Sequence, residues 1–207
     1  MVDFSKKYLY RMIHIENIPH VLEYGITHRN STSANLNFIP IGDNSLINRR
    51  NTYILNNGSI LGDYIPFYFG TRSPMLYVIQ HGFNGVSKTT PENIIYCVTS
   101  ITKIIDSEIE FMFTDGHAID SFSTEYSKDQ INNIDNLIDY NAINAFDWKD
   151  ENDLDKKRRK EAEFLLSQDL PPSYILGYIC YNENSKSKLL EYGIDVNKIV
   201  VKPNCYF

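Results

Sequence analysis

The chain has 207 residues, is 43% hydrophobic and carries a formal net charge of −6. That length buries roughly two thirds of the unfolded surface, enough for one core, so a single domain over residues 1–207 is expected. The acidic balance argues against a generic nucleic-acid coat with a broad basic face, while leaving room for one local cationic edge.

In chain order, "YLYRMIHI" reads as an alternating, aromatic-rich opening strand. "ENIPHVLEYG" reads as a short helix whose Ile18, Val21 and Leu22 share a face and whose Gly25 suits a C-terminal cap. Residues 26–62 are polar and Asn-rich, long for a plain connection, which predicts a functional loop holding a short helix at "SLINRR". "DYIPFYFG" and "SPMLYVIQHG" follow as apolar runs read as strands, then "NIIYCVTSI" and "EIEFMFTDG" as further strands. "SKDQINNIDNLIDYNAINAF" has helical spacing at Ile131, Ile134, Leu137 and Ile138, and "SYILGYICYN" and "KIVVKP" are late strands around the helical "SKSKLLEYG". Helices mixed irregularly among many short strands predict an α+β fold.

Cys97, Cys180 and Cys205 are odd in number and widely spaced, which indicates neither a disulfide framework nor a zinc site and fits a reducing cytoplasm. No window approaches about 18 apolar residues and the N-terminal stretch lacks signal character, so neither export nor a membrane span is expected. Phosphate-binding, metalloprotease and nucleophile-elbow motifs are missing, and no metal is expected. Chemistry therefore falls to scattered groups.

Glu163 stands in "AEFLL", where a strand beginning near Ala162 would put Glu161, Glu163 and Leu165 on one face. A carboxylate in an apolar strand is costly unless a cation or a positively charged substrate pairs with it, and both a cleft and a plain strand-edge ion pair satisfy that need. Arg49 and Arg50 suit a diphosphate or an anionic base, or a solvated surface. "PFYFGTRSPMLY" brings Tyr68 and Met75 into an aromatic run fit for stacking or for a core, "FTDGHA" sets His117 in a turn, and His14 lies on the opening strand. The five consecutive cations Lys156, Lys157, Arg158, Arg159 and Lys160 follow the acidic "DWKDENDLD" and form the candidate cationic edge.

In order, "YRMIHIENIPHVLEYGI", "SLINRR", "DYIPFYFGTRSPMLY", "FTDGHA" and "RRKEAEFLL" resemble the signature segments of the DarT-type DNA ADP-ribosyltransferase toxins across almost the whole chain. The resemblance implies an ADP-ribosyltransferase-like fold, with two small packed β-sheets and flanking helices around an NAD cleft. It implies NAD as co-substrate and a base of single-stranded DNA, usually thymine, as acceptor. A macrodomain antitoxin that hydrolyses the ADP-ribose mark is the implied partner.

Residue by residue, Glu163 and Arg50 match the family's catalytic pair, and Arg11, Met12, Ile13 and His14 match its NAD-contacting stretch. Some members read His-Ile-Thr where this chain reads Arg-Met-Ile. Tyr68 and His117 match positions near the nicotinamide and the substrate loop, and Met75 in the aromatic run is a further candidate NAD contact. Arg49 and the run Lys156–Lys160 are the expected grip on DNA phosphates.

The family picture gives removal of the acceptor's proton to the arginine. A guanidinium is not deprotonated in proteins, so Arg50 is expected instead to stabilise the anionic base and hold NAD phosphate. The spacing Glu161-x-Glu163 is similar to that of arginine-modifying transferases, which keeps a protein acceptor as an alternative. A non-catalytic single-strand-binding module is the other.

Overall fold

The computed structural model describes residues 3–207, so the first two positions of the expected domain lie outside it. Strand β1 (Tyr8–His14) turns into helix α1 (Ile18–Tyr24), which stops at Gly25 with φ +83°, where a Cβ would sit 2.0 Å from the Leu170 carbonyl oxygen. Only glycine tolerates both the angle and the approach, and the neighbouring Ile26 pairs with Leu170 there. In the long polar loop, the Asp43 carboxylate accepts from the Ser45 and Leu46 amides and starts α2 (Asn44–Arg50), the helix expected at "SLINRR".

Strand β2 (Ile65–Tyr68) is followed by α3 (Pro74–His81) rather than by a second strand. The apolar run "SPMLYVIQH" carries its own start signal: the Ser73 hydroxyl accepts from the Leu76 amide and Pro74 fills the first turn. Next come β3 (Ile94–Ser100), α4 (Ile101–Asp106), β4 (Phe111–Thr114) and the short β5 (Glu125–Ser127). The helical spacing after residue 128 yields a 3-10 turn and two short helices, α5 (Ile134–Leu137) and α6 (Tyr140–Asn144). The cationic run is α7 (Lys156–Lys160), and it leads into β6 (Glu163–Leu166). The chain ends through β7 (Gly177–Cys180), α8 (Glu183–Glu191) and β8 (Ile199–Val201).

Among the described residues the strands form one mixed sheet in the order β5-β4-β6-β2-β1-β3-β7-β8, which corrects the expectation of two separate sheets. The two halves are nevertheless distinct. β1 and β3 pair along seven registers, whereas β1 meets β2 only at Tyr10↔Tyr68. Beside that single pair the Arg11 Nη1 reaches the Pro66 carbonyl at 2.8 Å, so a side chain spans the gap where ladder bonds would otherwise run.

β6 lies between β4 and β2 and is buried on both faces, with Ala162, Phe164 and Leu166 in one core cluster and Leu165 in another, as the expected alternation requires. Glu161 caps the end of α7. Phe164 stacks on Phe111 at 4.6 Å in a core shared with Leu9, Ile13 and Phe67. Truncating such a ring to alanine costs about 3–5 kcal/mol, and here it would loosen the strand that carries Glu163. No helix among the described residues is long and apolar enough to cross a membrane.

Candidate active site

Glu163 is the first residue of β6, opposite Tyr68 at the end of β2, at the junction of the sheet halves. Its carboxylate is fully buried, so the charge needs pairing, and two groups hydrogen-bond to it. Arg50 Nη1 donates to Oε2 at 2.8 Å, and the Ala118 amide donates to Oε1 at 2.9 Å. His117 Nε2 stands 3.8 Å from Oε1. The Glu163 amide donates to Thr114 Oγ1 at 3.2 Å, which fixes the start of the strand against β4.

Arg50 ends α2, with its side chain 13% exposed. Its Nη2 and the Nε of Arg11 are buried without a hydrogen-bond partner. Burial and the neighbouring Arg50 lower the Arg11 guanidinium to about 10. Both arginines line a cavity of about 610 Å³ whose walls include His28, Phe38, Tyr64 and Pro66. Two orphaned guanidinium donors beside an aromatic-walled cavity fit a ligand with a diphosphate and a flat base.

The other expected residues divide. Tyr68 lies between Tyr10 and Glu163, and burial pushes its phenol up. His117 is on the 115–124 loop, where burial holds its imidazole below the ordinary value against the opposing pull of Glu163. Met12 and Met75 pack against an apolar cluster built on Leu76 and Tyr96. Ile13 is a core residue on the Leu9 face of β1, leaving its backbone alone for contact, and His14 caps the following turn through Nδ1.

The expected cationic grip is mostly spent within the molecule. Lys156 pairs with Asp150 at 3.3 Å, Arg158 with Asp115 at 2.8 Å and Asp155 at 2.7 Å, and Arg159 with Asp153 and with Asp139 at 3.3 Å. Lys160 is buried and donates to the Ile143 and Ala145 carbonyls, its ammonium lowered by burial to about 8. Among the described residues, Lys157 and Arg49 are the exposed cations of the set without an ion pair. The acidic half of "DWKDENDLDKKRRK" folds back on the basic half, which is why the run is not a free patch.

Thr114 and Ala118 were not foreseen, because both act through a backbone or hydroxyl contact that no residue type announces. Among the described residues no group of three or more His, Cys, Asp or Glu side chains is arranged to hold a metal ion.

The chain matches the family model for the ssDNA thymidine ADP-ribosyltransferase DarT over residues 10–207. It is 34% identical over 191 residues to a DNA ADP-ribosyl transferase of Escherichia coli O127:H6, covering 91% of this chain and 86% of that one. Its fold superposes on Thermus sp. 2.9 DarT in complex with ADP-ribosylated ssDNA with a TM-score of 0.83 at 26% identity, covering 97% and 96% of the two chains. The same Thermus protein in complex with NAD+ gives a TM-score of 0.80 at 25% identity over 98% of each chain. A Thermosipho africanus fusion of a DNA ADP-ribosyl transferase and a DNA ADP-ribosyl glycohydrolase is 29% identical over 200 residues, which are 96% of this chain and 48% of the fusion. A buried carboxylate clamped by an arginine that lines a cavity of about 610 Å³, the sheet divided at that point and a family match over nearly every residue lead to one conclusion: the chain belongs to the DarT family of single-stranded-DNA thymidine ADP-ribosyltransferases.

Proposed function

We propose that Glu163 and Arg50 carry out the transfer of ADP-ribose from NAD to thymine in single-stranded DNA, the activity of the family to which this enzyme belongs. The observation that carries the assignment is the fully buried Glu163 carboxylate held by Arg50, which also lines the cavity. NAD supplies an electrophilic ribose carbon and a nicotinamide leaving group. Arg11 and Arg50 hold the diphosphate through their orphaned donors. Glu163 sets a fixed negative charge against the positive charge that develops at the ribose as the glycosidic bond breaks. Tyr68 and His117 flank that carboxylate and exclude water from it.

Ring nitrogens are hidden in a duplex, so a single strand is the substrate that brings thymine to the cleft. Lys157 and Arg49 steer its phosphates. The single domain supports this reading, since the sheet draws strands from Tyr8 to Val201. Buried, unpaired Cys97, Cys180 and Cys205 suit a reducing cytoplasm as the place of action. The glycohydrolase fused to the Thermosipho relative supports a partner hydrolase that removes the mark, the macrodomain antitoxin of a toxin pair.

Labelled NAD, incubated with single strands that differ in one base and with total protein, tests the reading. Label is expected on the thymine-containing strand alone. Label on protein would favour the protein transferase, and no NAD turnover at all would leave a binding module.

A further inference from the structure

We propose that Glu161 accepts the proton lost by the attacking thymine, an assignment that rests on the function just proposed. Transfer breaks the bond from the ribose carbon to nicotinamide, whose nitrogen keeps the electron pair, and forms a bond to the thymine ring nitrogen that carried hydrogen. One proton must leave, and the residues already placed are poor acceptors for it. Both oxygens of Glu163 are committed, to Arg50 and to the Ala118 amide. Arg50 has no acceptor. His117 is a weak base, held below its ordinary value by burial, and its Nε2 faces Glu163.

Glu161 differs from all three. It is only 8% exposed, yet among the described residues its carboxyl makes no hydrogen bond and no ion pair within 4 Å. It stands at the C-terminal end of α7, where the exposed carbonyls disfavour negative charge. The charged and titratable groups around it are Lys157 one turn back on α7, Asp120 on the 115–124 loop, Glu163 on β6 and Tyr68 on β2. Glu161 precedes Glu163 by two residues, and the Ala162 between them is buried in the core with Phe164 and Leu166. The exposure that remains reaches its carboxyl oxygens, which are not among the fully buried atoms and so stay open to an incoming acceptor. Burial raises it to about 7, ahead of the opposing pull of Lys157, so it ionises near neutrality and is a far stronger base than an exposed carboxylate. The captured proton passes to solvent once the product leaves.

The test compares the full chain with its Glu161→Gln variant, using labelled NAD and a single strand containing one thymine. The variant is expected to keep its NAD affinity, to transfer about 100-fold more slowly at neutral pH and to lose the rise in rate through about pH 7. Replacing the target thymine by 5-fluorouracil, whose ring N–H is more acidic, is expected to restore most of the variant's rate, because an acceptor that ionises unaided needs no base. Without NAD, the melting temperatures of the two proteins are expected to diverge as pH rises through about 7. A Glu161→Gln variant that keeps the wild-type pH rise, or one that the acidic acceptor does not rescue, would overturn the assignment. Failure of the wild-type chain to label any thymine strand would sink the function itself, and the assignment with it.

Discussion

Arg50 Nη1 lies 2.8 Å from Glu163 Oε2, so one contact fastens the last residue of α2 to the first residue of β6 across 113 positions of sequence. Leu55 and Leu61 of the polar loop also meet Leu165 of β6 in a small apolar cluster, with Leu46 of α2 packed against it. With the carboxylate fully buried, removing either partner leaves an uncompensated charge and costs about 3–5 kcal/mol. The same guanidinium lines the cavity and keeps a second nitrogen without a partner, so its structural duty is separable from the ligand duty proposed for it.

Arg50→Lys divides those duties. Lysine keeps a positive charge beside Glu163 but presents a point donor in place of a planar fork. The fold should survive, with a melting temperature within about 5 °C of wild type. Transfer to single-stranded DNA should fall at least about 100-fold and NAD binding should weaken. A lysine variant that works at the wild-type rate would show that charge alone is needed.

Glu163→Gln is nearly isosteric and removes only the charge. NAD affinity measured by calorimetry should change little, while the transfer rate should fall by about 1,000-fold, because the carboxylate acts on charge that exists only in the transition state. Retained activity would take Glu163 out of the chemistry.

The run Lys156–Lys160 predicts unequal effects from five similar residues. Lys157→Ala should weaken single-strand binding and lower the slope of log affinity against log salt by about 0.7, the loss of one phosphate contact. Lys160→Ala should instead destabilise the fold by about 1–3 kcal/mol, because the Ile143 and Ala145 carbonyls lose their donor. Equal salt slopes for wild type and Lys157→Ala would remove that residue from the DNA path.

Local signals in the sequence carry most elements: Gly25 ends α1, Asp43 starts α2, the alternating opening run is β1, and two apolar runs are β3 and β4. "SPMLYVIQH" reads as a strand because its apolar content outweighs the Ser73-Pro74 start signal of α3. Glu163 and Arg50 were legible through resemblance, since a fully buried carboxylate and its distant partner are tertiary facts. The partners of α7 were not legible. Whether "DWKDENDLD" lies against the cations or away from them depends on where the chain turns, and composition does not encode that turn.

Glu161 and His117 make opposite contributions to the dependence of stability on pH. The folded Glu161 carboxyl, at about 7, lies above its unfolded value, so its contribution is whole in acid and is lost as pH rises through 7. At pH 8 the ionised group costs the fold up to about 3 kcal/mol, and Glu161→Gln should therefore melt higher than wild type, with the gap closing below about pH 5. His117 lies below its unfolded value, so the fold loses stability as pH falls below about 6.5. A Glu161→Gln melting profile parallel to wild type from acid to alkaline pH would refute the raised carboxyl.

Gly116 ties the loop to catalysis. A Cβ there would lie 2.5 Å from Arg158 Nη1, 2.7 Å from Arg158 Cγ and 2.7 Å from Ser123 Oγ. Arg158 cannot swing aside freely, because Asp115 and Asp155 hold its guanidinium, so the loop itself must shift. The next two residues are His117 and Ala118, whose amide donates to Glu163 Oε1. On the role proposed for Glu163, displacing that donor by even part of an ångström would misalign the carboxylate against the ribose. Gly116→Ala should therefore lower transfer by about 10- to 100-fold while melting close to wild type. Adding Arg158→Ala opens the space the methyl needs, and the double variant should recover part of the lost rate. If Gly116→Ala alone were fully active, the loop would not set the geometry of Glu163.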